Sequence, residues 1–193
     1  AIYGSRGANG VVIIATKRGR AGESKLTLDM SLGWSNATHL PEVLNARDYA
    51  KALVQFDGIP EAEVKNYLDG SDSGTDWKDE VFKTGMIQNY KVVFNKGTED
   101  TQLYVSGNYM RHEGVMKDTQ YERYAARLNV NSNIFSWLNI NADVNLSHGE
   151  GKGIGGIDMG GYNPVYLAFN YSPTMHVKNE LGEYLKDPYC SIN

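Results

Sequence analysis

The feature that most constrains this chain is a strict alternation of apolar and polar residues that recurs in five segments. It is clearest at residues 136–147, where every second side chain is apolar. A period of two is typical of a β-strand, because successive side chains of a strand point to opposite faces of the sheet. The pattern predicts an all-β antiparallel fold, with strands at about residues 25–34, 87–95, 101–111, 122–132 and 136–147.

Three properties of these segments favour a transmembrane β-barrel. Each segment runs about ten to twelve residues, close to the ~9–11 that cross a bilayer at a tilt and longer than the ~5–6 usual in soluble sheets. The apolar faces carry no charge over several consecutive positions, and the polar faces are rich in Asn, Asp, Arg and Thr, which suits a wet interior. Aromatic residues gather near the strand ends, as in an interfacial belt: Trp34, Tyr90, Tyr109, Tyr121, Tyr124 and Trp137.

The connections between the strands alternate in length. Residues 35–86 and the stretch from 148 are long, 96–100 and 133–135 are short turns, and 112–121 is of medium length. Outer-membrane barrels keep short turns in the periplasm and longer loops outside. The first strand is therefore predicted to run outward, with 35–86 and the stretch from 148 as extracellular loops.

The long loop 35–86 carries signals for short helices. Asn45 can cap a helix that ends before Gly58, and Pro60 can open a second helix that stops near Gly70. Residues 77–82 suggest one more helical turn. Loops of this length in a compact domain are usually functional.

Composition excludes several classes of function. A net charge of −4 and a pI near 5.6 argue against nucleic-acid binding. Mean hydropathy is −0.46, and no run is long and apolar enough for a transmembrane helix. Cys190 is the lone cysteine, and no pair among the four histidines has metal-ligand spacing. We expect no catalytic constellation, no metal and no cofactor, and therefore not an enzyme.

The N-terminal stretch differs from the rest. Glycines at a spacing of three precede the apolar run 11–15, which reads as a strand buried on both faces. A phosphate-binding loop would need the glycines after a strand and before a helix, so that reading is disfavoured. The glycine-containing motif consists of Tyr3, Gly4, Ser5, Arg6, Gly7, Ala8, Asn9 and Gly10.

This motif, with residues 11–14 and Thr16-Lys17 after it, resembles the end of the plug domain in TonB-dependent outer-membrane transporters. The sequence Ser-Arg-Gly-Ala-Asn-Gly within it resembles the SusC/RagA branch of that family. Short stretches within 75–82, 88–90 and 104–114 also resemble sequences of this family, so the resemblance covers most of residues 1–150.

The resemblance implies a barrel of about 22 strands closed by an N-terminal plug. Residues 1–20 would be the end of the plug and 21–193 the first part of the barrel, which makes the chain an internal piece of a longer protein. It also implies active import of a glycan or peptide, with a SusD-like surface lipoprotein and with TonB, which would bind an upstream segment. The expected location is the outer membrane of a Gram-negative, Bacteroidetes-like bacterium, in contact with its lipid.

The polar faces supply candidate site residues, expected to face the barrel lumen: Asp29, Arg123, Arg127, Asn129, Asn139, Asn141, Asp143 and Asn145. Arg123 and Arg127 could pair with carboxylates of the plug or attract an anionic substrate, and residues 1–19 are expected on this polar side. Two alternatives remain open from the sequence: a soluble carbohydrate-binding β-sandwich, and a passive or adhesive outer-membrane barrel.

Overall fold

The structure is a computed structural model that describes Gly10 and residues 22–153, 163–179 and 181–185. The remaining residues of the N-terminal motif, the strand predicted at 11–15 and Cys190 lie outside the described residues. So does the predicted position of residues 1–19 on the polar side. Gly10 has a left-handed backbone, with φ of 101°.

The described chain forms one five-stranded antiparallel sheet, and the all-β fold class predicted from alternation is confirmed. The strand order β1-β2-β3-β4-β5 follows the sequence, so each strand pairs with the next along the chain. The strands are β1 Ser24–Ser35, β2 Gly85–Gly97, β3 Thr101–Glu113, β4 Gln120–Phe135 and β5 Leu138–Lys152.

The hairpin between β4 and β5 differs from the prediction. β4 continues through the expected turn at 133–135, and the turn lies at Ser136 and Trp137 instead. The rings of Phe135 and Trp137 stack with centroids 5.5 Å apart, and the Asn139 amide donates to the Asn133 side chain. These contacts across the strand ends keep 133–135 in the ladder.

β5 also runs further than alternation suggests, to Lys152 rather than to residue 147. Its partner β4 begins at Gln120, two residues before the predicted strand, and so offers the added residues a neighbour. The Tyr121 ring lies 3.8 Å from the position that a Cβ on Gly151 would occupy. A neighbouring aromatic ring can cover a strand glycine in this way.

The loops carry four short α-helices: α1 Ala46–Ala52, α2 Lys65–Asp69, α3 Trp77–Val81 and α4 Pro164–Asn170. A π-helical turn, Leu53–Asp57, extends α1 and ends at the left-handed Gly58. The predicted cap is present, since the Asn45 side chain accepts the Asp48 N–H at 2.9 Å. None of the helices in the described part of the chain has the length and apolar character needed to cross a bilayer.

The second loop helix starts later than predicted. Pro60 opens a turn, not a helix, because the Glu63 N–H donates to the Pro60 carbonyl and the Val64 N–H donates to the Glu61 carbonyl. The helix α2 then begins at Lys65 and ends before the left-handed Gly70.

The chain separates into two compact units. The sheet unit consists of Ala1–Ser31, Gln88–Met110 and Glu122–Gly149, and the loop unit consists of Leu32–Ile87, Arg111–Tyr121 and Glu150–Asn193. Within the loop unit, residues 171–176 are bound to residues 67–77 although about a hundred positions separate them in sequence. The contacts are Tyr67 hydroxyl to Thr174 carbonyl at 2.8 Å, Thr75 N–H to Pro173 carbonyl at 2.8 Å, Trp77 indole N–H to Ser172 carbonyl at 2.9 Å, and His176 to Asp72 at 2.9 Å.

Gly74 lies where these two segments meet, and we expect Gly74→Ala to loosen the loop unit. Its φ is 64°, and an added Cβ would lie 2.6 Å from the Ala46 Cβ and overlap the Pro173 carbonyl oxygen. Gly58→Ala is the matched control, because Gly58 has φ of 69° but no atom within 4 Å of its Cβ position. The control carries only the left-handed strain of about 1–2 kcal/mol.

The measurement is limited proteolysis of loops 35–84 and 163–179 in the full-length protein. Cleavage should rise more in Gly74→Ala than in Gly58→Ala. Equal rates in the two variants would contradict the crowding at Gly74.

Candidate functional site on the polar face of the sheet

In the sheet unit the apolar face is exposed and the polar face is partly buried, which is the reverse of a soluble protein. Large apolar side chains are exposed, among them Leu26 at 70%, Leu28 at 65% and Leu146 at 65% of their surface. The buried side chains of the described sheet unit, Tyr104 and Asn129, are each 5% exposed and lie on the polar face. In a soluble sheet with one wet face, the apolar face is the one that packs on a core.

Asp143 of β5 is the centre of a polar cluster that joins β4 to β5. Its carboxylate accepts from the Arg127 guanidinium at 2.8 Å, the Asn145 amide at 3.0 Å and the Asn129 amide at 3.5 Å. The Arg127 side chain is 21% exposed and that of Asp143 is 40% exposed. Two buried atoms of the cluster have no hydrogen-bond partner, Arg127 Nε and Asn129 Oδ1.

A second hydrogen-bonded group, a row of asparagines, lies nearer the β4–β5 turn. The Asn139 amide donates to Asn131 at 3.1 Å and to Asn133, and the Asn141 amide donates to Asn139. Side-chain amides both donate and accept, so a row of them can satisfy its own hydrogen bonds. On β2 and β3 the same face carries another pair, in which the Asn108 amide donates to Asn89 at 2.7 Å.

Six of the eight residues predicted to line the lumen belong to these two hydrogen-bonded groups: Arg127, Asn129, Asn139, Asn141, Asp143 and Asn145. Asp29 of β1 and Arg123 of β4 are exposed and belong to neither group. Arg123 borders a depression of about 240 Å³ beside the small side chain of Ala125. The candidates predicted from the sequence did not include Asn89, Asn108, Asn131 and Asn133, although each occupies a polar-face position of its strand.

The loop unit holds a larger cavity, of about 530 Å³, between α1, α3 and α4. Trp77 contributes to its wall and is held by its indole hydrogen bond and by the Tyr171 ring, 5.1 Å away edge to face. Carboxylates and aromatic rings border the cavity: Glu42, Tyr49, Asp76, Trp77, Phe169 and Tyr171. Rings with hydrogen-bonding groups beside them are common in pockets for organic solutes.

In the loop unit, hydrogen bonds lower the pKa of the Asp72 carboxyl. The Gly74 N–H donates to Asp72 at 2.8 Å, and this bond, with His176 after it, holds the pKa of Asp72 below its ordinary value. Burial, followed by the charge of Asp72, raises the pKa of Tyr67. Among the described residues, no three metal-ligating side chains come together.

Comparison with known proteins gives a consistent result. The chain is 30% identical over 190 residues to the TonB-dependent receptor P3 of Formosa agariphila. The matched region covers 95% of the chain and 18% of that receptor. It is also 29% identical over 156 residues to the TonB-dependent receptor SusC of Bacteroides thetaiotaomicron. Here the matched region covers 79% of the chain and 15% of SusC. No family model matches the chain.

Solved structures show the same relationship. A structure of the RagAB peptide transporter matches 78% of this chain and 20% of its own chain, with a TM-score of 0.61 and 26% identity. A structure of the RagAB peptide importer in the open-open state matches with a TM-score of 0.56 and 25% identity.

The chain belongs to the family of TonB-dependent receptors, which are not enzymes. Within that family it is of the SusC/RagA type, and its five strands are barrel strands in a sheet that is open in this chain. The chain spans 18% and 15% of the length of these two curated relatives.

The Arg127–Asp143 pair should couple β4 to β5 more strongly than an exposed pair couples its residues. In a double-mutant cycle of Arg127→Gln and Asp143→Asn, we expect a coupling of about 1 kcal/mol in the free energy of unfolding, because Arg127 is largely shielded from water. The Lys51–Asp48 pair is the control, with side chains 60% and 47% exposed, and should give a smaller coupling.

Both cycles are measured by urea unfolding of the full-length protein in lipid vesicles. Similar coupling for the two pairs would show that the polar face gives the Arg127–Asp143 bond no protection.

Proposed function

We propose that this chain forms the first barrel strands of a transporter that imports a large glycan or peptide across the outer membrane with energy from TonB. The observation that carries the proposal is the pattern of exposure in the sheet: its apolar face is exposed, and its polar face is hydrogen-bonded and partly buried. Lipid is the surrounding that suits the first face, and a wet lumen suits the second.

The exposed apolar face has the dimensions of a bilayer. Along β4 it runs from Tyr124, which is 50% exposed, to Ile134, which is 49% exposed. Ten residues at about 3.3 Å each, tilted by about 40°, cover roughly 25 Å across the membrane, which is the height of the apolar band in outer-membrane barrels. Ser132 is polar within this row, and its hydroxyl shares a 2.7 Å hydrogen bond with Thr101 of β3.

The polar face supports passage of a polar solute without chemistry. Most of its clustered amides and the Asp143 carboxylate are hydrogen-bonded to one another, so together they form a hydrogen-bonding wall. The relatives are named a receptor SusC and a peptide transporter RagAB. Glycans and peptides both present many hydrogen-bonding groups, and we propose one of these two classes as the substrate.

The proposed organisation follows the sequence resemblance. Residues 1–20 would end the plug, residues 21–193 would begin the barrel wall, and TonB would bind upstream of Ala1. The loop unit would lie on the cell surface, where its cavity could meet the substrate or a SusD-like lipoprotein. The proposed location is the outer membrane of a Bacteroidetes-like bacterium.

The exposed apolar face disfavours the soluble carbohydrate-binding sandwich, since its Leu and Val side chains would need a second sheet to cover them. A passive or adhesive barrel would share the same wall. Energy dependence separates that alternative from the transporter.

Labelling of introduced cysteines should reveal the orientation of the strands. Glu61→Cys lies in the long loop after β1 and Glu99→Cys in the short turn after β2, and both positions are exposed. In the full-length protein with all of its native cysteines, Cys190 included, replaced by Ser, a membrane-impermeant maleimide added to intact cells should label Glu61→Cys only. After permeabilisation both should react, and the reverse order would overturn the proposed orientation.

Uptake measurements test the function itself. Cells with the full-length protein are given a tryptic digest of a soluble protein or a partial hydrolysate of a polysaccharide, and the medium is analysed by mass spectrometry. We expect depletion of one of the two mixtures, with loss of that depletion in cells that lack TonB. Depletion that persists without TonB would indicate a passive barrel, and binding without depletion would indicate an adhesive one.

A further inference from the structure

The depression beside Ala125 has arginine on two sides. Its volume is about 240 Å³, and Arg123 and Arg127 of β4 border it along the strand. Because side chains of a strand alternate between the two faces of a sheet, residues 123, 125 and 127 share the polar face. The small alanine therefore forms the floor of the depression, and the two arginines form two of its walls.

Neighbouring strands supply the other walls with neutral hydrogen-bonding groups. Ser106 of β3 and Ser147 of β5 line the depression and carry hydroxyls that can donate. Asn145 of β5 also lines it; one hydrogen of its amide is bonded to Asp143, and an amide carries a second. Among the described residues that line the depression, none is acidic.

The two arginines differ in how far their charge is compensated. The Arg127 guanidinium is paired with the Asp143 carboxylate at 2.8 Å. Arg123 is exposed, and no described residue forms an ion pair with it. A guanidinium presents its N–H donors in a planar fork that matches the two oxygens of a carboxylate. One uncompensated cation beside neutral donors favours an anionic group as the occupant.

The depression lies near the end of β4 that a solute would reach first. Arg123 follows Gln120, the first residue of β4, by three positions, whereas the strand ends at Phe135. In the orientation proposed above, β4 runs inward, so its first residues lie toward the outside of the cell. A solute that enters the lumen from outside would therefore pass Arg123 early.

We propose that this depression binds the carboxylate of an acidic side chain on an imported peptide, with the Arg123 guanidinium as its main partner. Aspartate and glutamate carry the carboxylate on a short flexible stem, which can enter a depression that is one residue wide. In a uronic acid the carboxylate is attached directly to a sugar ring, which is broader than the alanine floor. The proposal rests on the proposed function and narrows it, because it requires this face to line the lumen and selects peptides as the substrate.

The test is capture of peptides by the full-length protein purified in detergent. The protein is mixed with a tryptic digest of serum albumin, either untreated or after conversion of its carboxylates to methylamides, and retained peptides are identified by mass spectrometry. We expect peptides rich in Asp and Glu to be retained from the untreated digest. Their retention should fall about tenfold after conversion, because a charge-assisted hydrogen bond is lost.

Variants of the depression should reproduce this loss. Arg123→Gln should lower the retention of acidic peptides about tenfold. Arg123→Lys should lower it less, since lysine keeps the charge but lacks the planar fork. Ala125→Leu should also lower it, because the larger side chain fills the floor without a change of charge.

Lys25→Gln is the matched control. Lys25 is exposed on β1 and alternates onto the same face as Asp29, but it lies outside the depression. Its replacement removes one positive charge and should leave the retention unchanged. Heat-dependent migration on gels shows that each variant is a folded barrel.

Three results would overturn the site. Equal losses in Arg123→Gln and Lys25→Gln would show that the overall charge of the lumen, not the depression, holds the peptides. Unchanged retention in Arg123→Gln, with a lower unfolding temperature, would show that a carboxylate of the protein itself fills the depression. Retention of oligogalacturonate that depends on Arg123, without retention of peptides, would assign the carboxylate to a glycan.

Capture and uptake fail separately. Retention of neither digest would overturn the acidic-peptide site, while TonB-dependent depletion of a polysaccharide hydrolysate would still support the transporter. Conversely, peptide depletion that persists without TonB would overturn the transporter, and capture that depends on Arg123 would still support the site.

Discussion

Among the described residues, no protein core covers the apolar face of this sheet, and the other properties of the sheet depend on that fact. The apolar side chains of β1 stand 52% to 70% exposed. In water this exposure would cost on the order of 25 cal/mol for each Å² of apolar surface. In lipid it costs nothing comparable, so the surroundings take the place of a core. The polar face then becomes the inside, and the sheet must be stabilised there by hydrogen bonds.

That requirement explains the residue types on the polar face. Side-chain amides can pair with one another along and across strands, whereas lysines would repel and would need partners. Asn139 meets this need by donating to two residues of β4 while accepting from Asn141. The Arg127–Asp143 ion pair lies where two further amides support the carboxylate. A wall built in this way is polar, and its side chains satisfy many of one another's hydrogen bonds.

Alternation was enough to predict the five strands and the two faces, because both follow from a period of two. It could not predict register, since register depends on which residues meet across strands. The turn before β5 shows the limit. Asn133 is a common turn residue, yet its side chain accepts from Asn139 and the strand continues to Phe135. Local propensity favoured a turn that begins three residues too early, and cross-strand contacts instead keep residues 133–135 in the strand.

The loop unit was harder to predict for a related reason. The cap at Asn45 is local and can be read from sequence, but the contacts that hold Trp77 and Tyr67 run to backbone carbonyls about a hundred residues away. Any residue has a carbonyl, so no sequence signal marks these partners.

The role of a glycine is also hard to predict from the sequence. Gly74 is required because neighbours crowd its Cβ position, whereas Gly107 has room for a side chain and leaves it empty. Glycine is thus required by packing in one unit and leaves an open surface in the other, and only the surrounding atoms distinguish the two cases.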